Sequence, residues 1–179
     1  MLNKILRYGV IAGVIVAVPM LAMTFLMDGH HLPTSYGMLI GYSTMLIALS
    51  TVFIAIKRQR DETGGGVIGF WQAFALGLGI SFVASVCYVL AWEATVAITH
   101  MDFANSYASV MVEQEKARGL SGAALDKFIA QMEQFKLDYA NPLFRLPMTF
   151  IEIFPVGVLV SLISAGLLRN RRFLALRRA

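Results

Sequence analysis

Charge is scarce in this chain. Asp, Glu, Lys and Arg make up 15% of 179 residues and hydrophobic residues 58%, where soluble domains average about 25% charged and about 45–50% apolar. Too few polar side chains remain to cover a water-soluble core of this size. Cysteine is scarcer still: with Cys87 alone, no disulfide can close within the chain, and its place in an apolar run makes it a small buried hydrophobe. Catalytic signatures are missing too. There is no G-x-S-x-G, no P-loop, no Rossmann fingerprint, no H-E-x-x-H or H-x-x-x-H spacing and no aspartate pair at an intramembrane-protease spacing. No catalytic residue, metal or cofactor is therefore assigned. Gly64-Gly65-Gly66 lacks the Lys-Ser/Thr of a phosphate cradle and reads as a flexible turn. The net charge of +4 does not indicate nucleic acid, because the basic residues sit at the ends of apolar runs rather than in a stripe interleaved with aromatics.

What is present is length without charge. Tyr8 to Met27 gives 20 uncharged residues, and His30 to Ile56 is uncharged with its apolar heart at Met38 to Ile56. Val67 to Trp92 gives 26 more, continuing past Glu93 to Ile98, and Leu146 to Leu168 carries a single acid, Glu152. About 20 helical residues cross the hydrocarbon core, and a lone strand there would leave its backbone unpaired. The expectation is an all-α polytopic membrane protein, one integral domain over residues 1–179, with spans near 8–27, 38–56, 69–98 and 146–168. Lys4 and Arg7 precede the first run as in a secretory signal. Its apolar stretch is longer than a signal's and no A-x-A site closes it, so it is expected to stay as a span.

Lys and Arg placement sets the threading. Lys4 and Arg7, then Lys57, Arg58 and Arg60, then Arg169, Arg171, Arg172, Arg177 and Arg178 alternate with a first loop, Asp28 to Tyr36, that has none. The expected location is a bacterial inner membrane, in contact with the lipid bilayer, with both termini cytoplasmic and residues 169–179 a basic tail that anchors the positive side. Residues 101–141 form an amphipathic helical hairpin on the outer side. Phe103, Tyr107, Val110 and Met111 share one helix face. Gly119 fits a helix stop and Ser121 an N-cap. Leu125, Phe128, Ile129, Met132, Phe135 and Tyr139 share the second helix's face, and Pro142 ends it. The hairpin's acids outnumber its bases, so its apolar face is expected to pack on the bundle, dip into the interface or meet a partner, the first being preferred.

Small residues four apart mark one face of each span: Gly9, Gly13 and Ala17; Gly37 and Gly41; Ala73, Gly77, Ser81 and Ser85; Gly157, Ser161 and Ala165. Such faces let helix backbones approach closely in lipid, within one bundle or between copies. Pro19 and Pro155 are expected to kink their helices. Trp71, Tyr88 and Trp92 flank the ends of span three as interface anchors.

Six polar residues on the outer side remain: His30, His31, His100, Glu93, Arg145 and Glu152. An ionisable residue inside a span is a functional hypothesis, because burying its charge is costly. Glu93 and Glu152 can line an outward-facing polar cavity with Arg145 as counter-ion; Arg145 and Glu152, seven apart, share a helix face. A metal site of the three histidines and a glutamate matches imidazole chemistry but no metal-ligand spacing. The plain structural reading, that these groups are interfacial, hydrated and paired for stability, stands beside both.

Several stretches resemble a family of bacterial membrane proteins, domain of unknown function 4199: Gly41 to Ser50, Gly65 to Phe70 with Ala73, Tyr88 with Trp92, Tyr139 to Phe144, Glu152 to Gly157, and Ser161 to Ala165. The resemblance covers nearly the whole chain. It implies a four-span inner-membrane protein, supplies no activity, and puts Glu152, Pro155 and Gly157 first for testing. The favoured function is an interaction or accessory protein of the cell envelope, or a homo-oligomer. The alternative is a small transporter or channel using Glu93 and Glu152, and the third choice a membrane enzyme acting on lipid.

Overall fold

A computed structural model describes residues 1–26, 34–99 and 103–175, with the side chains of 23–26, 34–38 and 99 outside that description. His30, His31, His100, Arg177 and Arg178 lie outside it, and Gly37 is described only as part of a helix. The described residues form six α-helices and one π-helical turn, with no strand among them. The α-helices are α1 (Leu2–Leu26), α2 (Thr34–Arg58), α3 (Phe70–Thr99), α4 (Phe103–Ala117), α5 (Gly122–Ala140) and α6 (Pro142–Arg169). Four carry stretches long and apolar enough to cross a membrane: Leu2–Ala22, Leu39–Thr63, Phe70–Ile98 and Pro142–Arg169. The shortest, at 21 residues, rises about 32 Å at 1.5 Å per residue, enough for a hydrocarbon core of about 30 Å.

Local chemistry explains where these helices outrun their uncharged runs. α2 continues through charged residues into a π-helical turn, Gln59–Thr63, because Lys57 and Asp61, four apart, pair at 2.6 Å. The triple glycine is a built turn rather than a loose one. The N–H groups of Gly64 and Gly66 both donate to the Arg60 carbonyl, and Gly65 and Gly66 take φ of +58° and +89°, which L side chains avoid.

Gly119, at φ +94°, stops α4. Its N–H reaches the Lys116 carbonyl and that of Leu120 reaches Glu115, the paired closure of a Schellman end. Ser121 is extended at the N-cap position of α5 but makes no capping bond. The expected cap requires a helical first residue, and Gly122 sits at φ +60°.

α5 and α6 are joined by Asn141 alone. Its Oδ1 accepts from the Leu143 N–H at 3.0 Å, and Pro142 occupies the first helical position, where its missing N–H is harmless. α6 therefore starts four residues before the apolar run at Leu146. Pro19 and Pro155 lie within α1 and α6, and both helices run through them.

The chain divides into two compact units, Met1–Trp92 with Phe150–Ala179, and Glu93–Thr149. In the first, Tyr8, Ala12 and Val16 of α1, Leu49, Val52 and Ile56 of α2, Leu76 and Ile80 of α3, and Ile153 and Leu168 of α6 share one core. Small residues make its close seams. A methyl on Gly9 would lie 2.5 Å from Val83 Cβ, and one on Gly13 2.3 Å from Cys87 Cβ. One on Gly77 would meet Ser161, and one on Gly157 would meet Ser81. The hydroxyls of Ser81 and Ser161 are bonded to each other at 3.2 Å, and Ala73 is fully buried. Gly41 differs, with nothing within 4 Å of a methyl there.

In the second unit the apolar faces of α4 and α5 cover each other. The Phe103 ring tilts against Tyr139 at 5.4 Å and Tyr107 against Phe135 at 5.5 Å. Ala108 and Tyr139 are buried between the helices.

Candidate functional site

Three polar arrangements stand out against the apolar helices. The first, in the Glu93–Thr149 unit, joins the last part of α3 to the first turns of α6. Arg145 Nε donates to Glu93 Oε1 at 2.7 Å and Nη2 to Oε2 at 2.5 Å. This is the two-pronged geometry in which guanidinium and carboxylate match best. Arg145 Nη1 also donates to the Tyr139 carbonyl at 3.4 Å, and its guanidinium carbon lies 5.8 Å from the centre of the Tyr139 ring. Side-chain exposure falls to 14% for Arg145 and 26% for Glu93. Both oxygens of Glu93 are thus engaged by one cation.

The second lies in the other unit. Tyr88, on α3, donates its hydroxyl to Glu152 Oε2 at 3.1 Å. Glu152 sits ten residues into α6, about 15 Å along it. It is exposed, as are its neighbours Ile151, Pro155 and Leu159 on the same helix. Among the described residues Tyr88 is its hydrogen-bond partner, so most of the acceptor capacity of a carboxylate stays open on an apolar face.

The third occupies the opposite end of the same unit, and the helix ends themselves assemble it. Lys4 of α1 pairs with Glu62 at 3.3 Å, and Arg58 Nη1 donates to the Tyr8 hydroxyl at 3.1 Å. Arg60 is 1% exposed. Its Nε donates to Asp61 Oδ1, Nη1 to the Phe173 carbonyl and Nη2 to the Leu174 carbonyl, all at 2.8 Å. A buried charge is tolerated when its donors are all engaged, and this socket engages each of the three guanidinium nitrogens. Together these contacts tie the start of α1, the end of α2 with its following turn, and the segment after α6 into one polar cap.

Of the six polar residues singled out in the sequence, the structure brings together Glu93 and Arg145, gives Glu152 to Tyr88, and does not describe the three histidines. Among the described residues no three His, Cys, Asp or Glu side chains gather as metal ligands. Sequence reasoning missed the Arg60 socket. Its one local signal is the i,i+4 spacing of Lys57 and Asp61, and nothing in that spacing says that Arg60 turns inward. Tyr88 was legible only as an interface aromatic; its hydroxyl bond depends on how α3 and α6 pack.

Neither the curated proteins nor the solved structures give a match to this chain. A family model does: the one described as "Protein of unknown function (DUF4199)" matches residues 7–170. That is all but the first six residues and the last nine; it takes in the Glu93–Arg145 and Tyr88–Glu152 pairs and Arg60, while Lys4 and the Phe173 and Leu174 carbonyls fall outside it. By this match the chain belongs to the DUF4199 family.

Proposed function

We propose that the chain is a four-span protein of a bacterial inner membrane that acts by association, docking a membrane partner or a second copy of itself on the α6 face around Glu152. The carrying observation is a glutamate on an exposed face of an apolar span, with one tyrosine hydroxyl as its hydrogen-bond partner among the described residues. An acidic side chain at the centre of a membrane helix costs about 2.5–3.5 kcal/mol on insertion scales, and such groups nearly always face protein or water. Here Tyr88 covers one oxygen, and the flanking surface is Ile151, Pro155 and Leu159. A second helix carrying a donor would satisfy the remaining oxygen while burying that apolar surface. The contacts of Lys4 with Glu62, Arg58 with Tyr8 and Arg60 with the Phe173 and Leu174 carbonyls bring basic chain ends to one end of this unit, which supports threading with both termini cytoplasmic.

The test is cross-linking in native membranes. With Cys87 replaced by Ala, cysteines at Ile151 or Leu159 are expected to form a disulfide dimer or a single adduct with one partner, and Glu152→Leu to lose it. A monomer in lipid nanodiscs, with no adduct from either position, refutes the reading.

A second reading rests on the same pair. A carboxylate within a span, held by a hydroxyl, is suited to binding a proton or small cation, so a small transporter or channel is the alternative. Because Glu93 is closed by Arg145, Glu152 would carry the ion. Solute flux in proteoliposomes that stops with Glu152→Gln favours this reading, and equal flux in both proteins removes it.

A further inference from the structure

Beyond Arg169 the chain does not simply trail away. The Asn170 N–H donates to the Leu167 carbonyl, the Phe173 N–H to Asn170 O, and the Arg172 N–H to Asn170 Oδ1 at 3.0 Å. The next two carbonyls, of Phe173 and Leu174, are gripped by the buried Arg60 guanidinium. The Phe173 ring meets Phe53 edge-on at 6.4 Å, and Leu174 takes φ +48°, a conformation non-glycine residues adopt rarely. Residues 169–174 are therefore a fixed turn, held at its end by Arg60.

That turn carries Arg169, Arg171 and Arg172, all exposed and without an acidic partner among the described residues. The acids near them are already used, Asp61 by Lys57 and Arg60 and Glu62 by Lys4. The turn begins where the apolar stretch of α6 ends, so it stands at headgroup depth when α6 spans a bilayer. Leu174, 52% exposed, follows two residues after Arg172.

We infer that this turn is a docking site for an acidic phospholipid, with Arg169, Arg171 and Arg172 on the headgroup phosphate and Leu174 toward the acyl region, and that the Arg60 socket holds the site in shape. The combination selects a lipid. Three unpaired guanidiniums fit a phosphate, the depth matches a headgroup, and an exposed leucine two residues after Arg172 suits an amphiphile rather than a soluble anion. A diffuse polybasic tail would attract anionic lipid as well, but it would need no buried arginine to shape it. Dependence on Arg60 is what separates a built site from a charged tail.

The experiment uses the full chain in nanodiscs of phosphatidylcholine doped with phosphatidylglycerol, reading phosphatidylglycerol enrichment by native mass spectrometry of co-released lipid. Wild type is expected to enrich it. The triple variant R169Q/R171Q/R172Q is expected to lower the enrichment by about tenfold or more, given about a fivefold preference per arginine at the surface. Arg60→Lys keeps charge but cannot reach both carbonyls, and is expected to lower it by about threefold or more with all surface arginines in place. If Arg60→Lys does not fold, Asn170→Ala takes its place, loosening the turn while leaving the socket intact. Wild-type enrichment in the triple variant overturns the proposal. So does wild-type enrichment in a folded Arg60→Lys or Asn170→Ala protein, which would show a tail acting by charge alone. Competition by millimolar inorganic phosphate equal to that of phosphatidylglycerol also overturns it, since the site would then take a free anion.

Discussion

Adding one methyl group at Gly13 is expected to destabilise the Met1–Trp92 and Phe150–Ala179 unit, and adding one at Gly41 is not. The contrast comes from what each methyl would meet. At Gly13 it would lie 2.3 Å from Cys87 Cβ and 3.0 Å from its Sγ, where carbon atoms rest at about 3.5–4.0 Å. Rotating Cys87 cannot relieve this, because Cβ stays in place in every rotamer. α1 and α3 must therefore separate locally by about 1.5 Å, loosening Ala12 and Val16, which are buried in the same core. Overpacking of this kind costs about 1–3 kcal/mol.

Gly13→Ala should thus lower the unfolding midpoint in detergent micelles, followed by Trp71 and Trp92 fluorescence, with a stability loss in that range. Gly41→Ala, with nothing within 4 Å, should stay within about 0.5 kcal/mol of wild type. Cys87→Gly removes the opposing Cβ, so the double variant should recover much of the Gly13→Ala loss, giving a coupling energy of about 1 kcal/mol or more. Equal effects at Gly13 and Gly41, or a double variant that merely adds the two single losses, would refute the seam between α1 and α3.

Three further outcomes follow from the other unit. Arg145→Ala leaves Glu93 largely enclosed without its cation and should cost about 2–4 kcal/mol; Arg145→Lys should recover only part of it, because the two-pronged geometry is lost. Phe135→Ala opens the aromatic row between Tyr107 and Tyr139 and should cost about 2–3 kcal/mol, less than for a fully buried ring, seen as faster amide exchange confined to α4 and α5. Gly119→Ala forces an alanine to φ +94° and should cost about 1 kcal/mol or more, checked by chemical denaturation. Gly119→Asn should be milder, since asparagine visits positive φ more readily.

The spans were legible because hydrocarbon leaves a chain so few options: Tyr8 to Met27 or Val67 to Trp92 without a charge has one stable backbone form in lipid. The helix limits were less legible, since charge itself extended them. Lys57 and Asp61 carry the second span into Gln59–Thr63, and Asn141 with Pro142 starts α6 ahead of its apolar run. Pairing was the least legible of all. The seven-residue spacing puts Arg145 and Glu152 on one face of one helix, yet Arg145 spends its guanidinium on Glu93, 52 residues away in sequence, and Glu152 takes a tyrosine hydroxyl from α3.

Periodicity reports which residues share a face; it carries no information on which face of another helix that face meets. Arg60 shows the limit most sharply. In the sequence it is one of three basic residues in a short turn and reads as a positive-side anchor like Lys57 and Arg58. In the fold it is among the most buried side chains, and its partners, the Phe173 and Leu174 carbonyls, are backbone groups that any residue type would present. A charge whose acceptors are main-chain oxygens leaves no complementary residue in the sequence to betray it. Such sockets emerge only when helix ends distant in sequence are brought together, and here that end is also where the unpaired arginines gather.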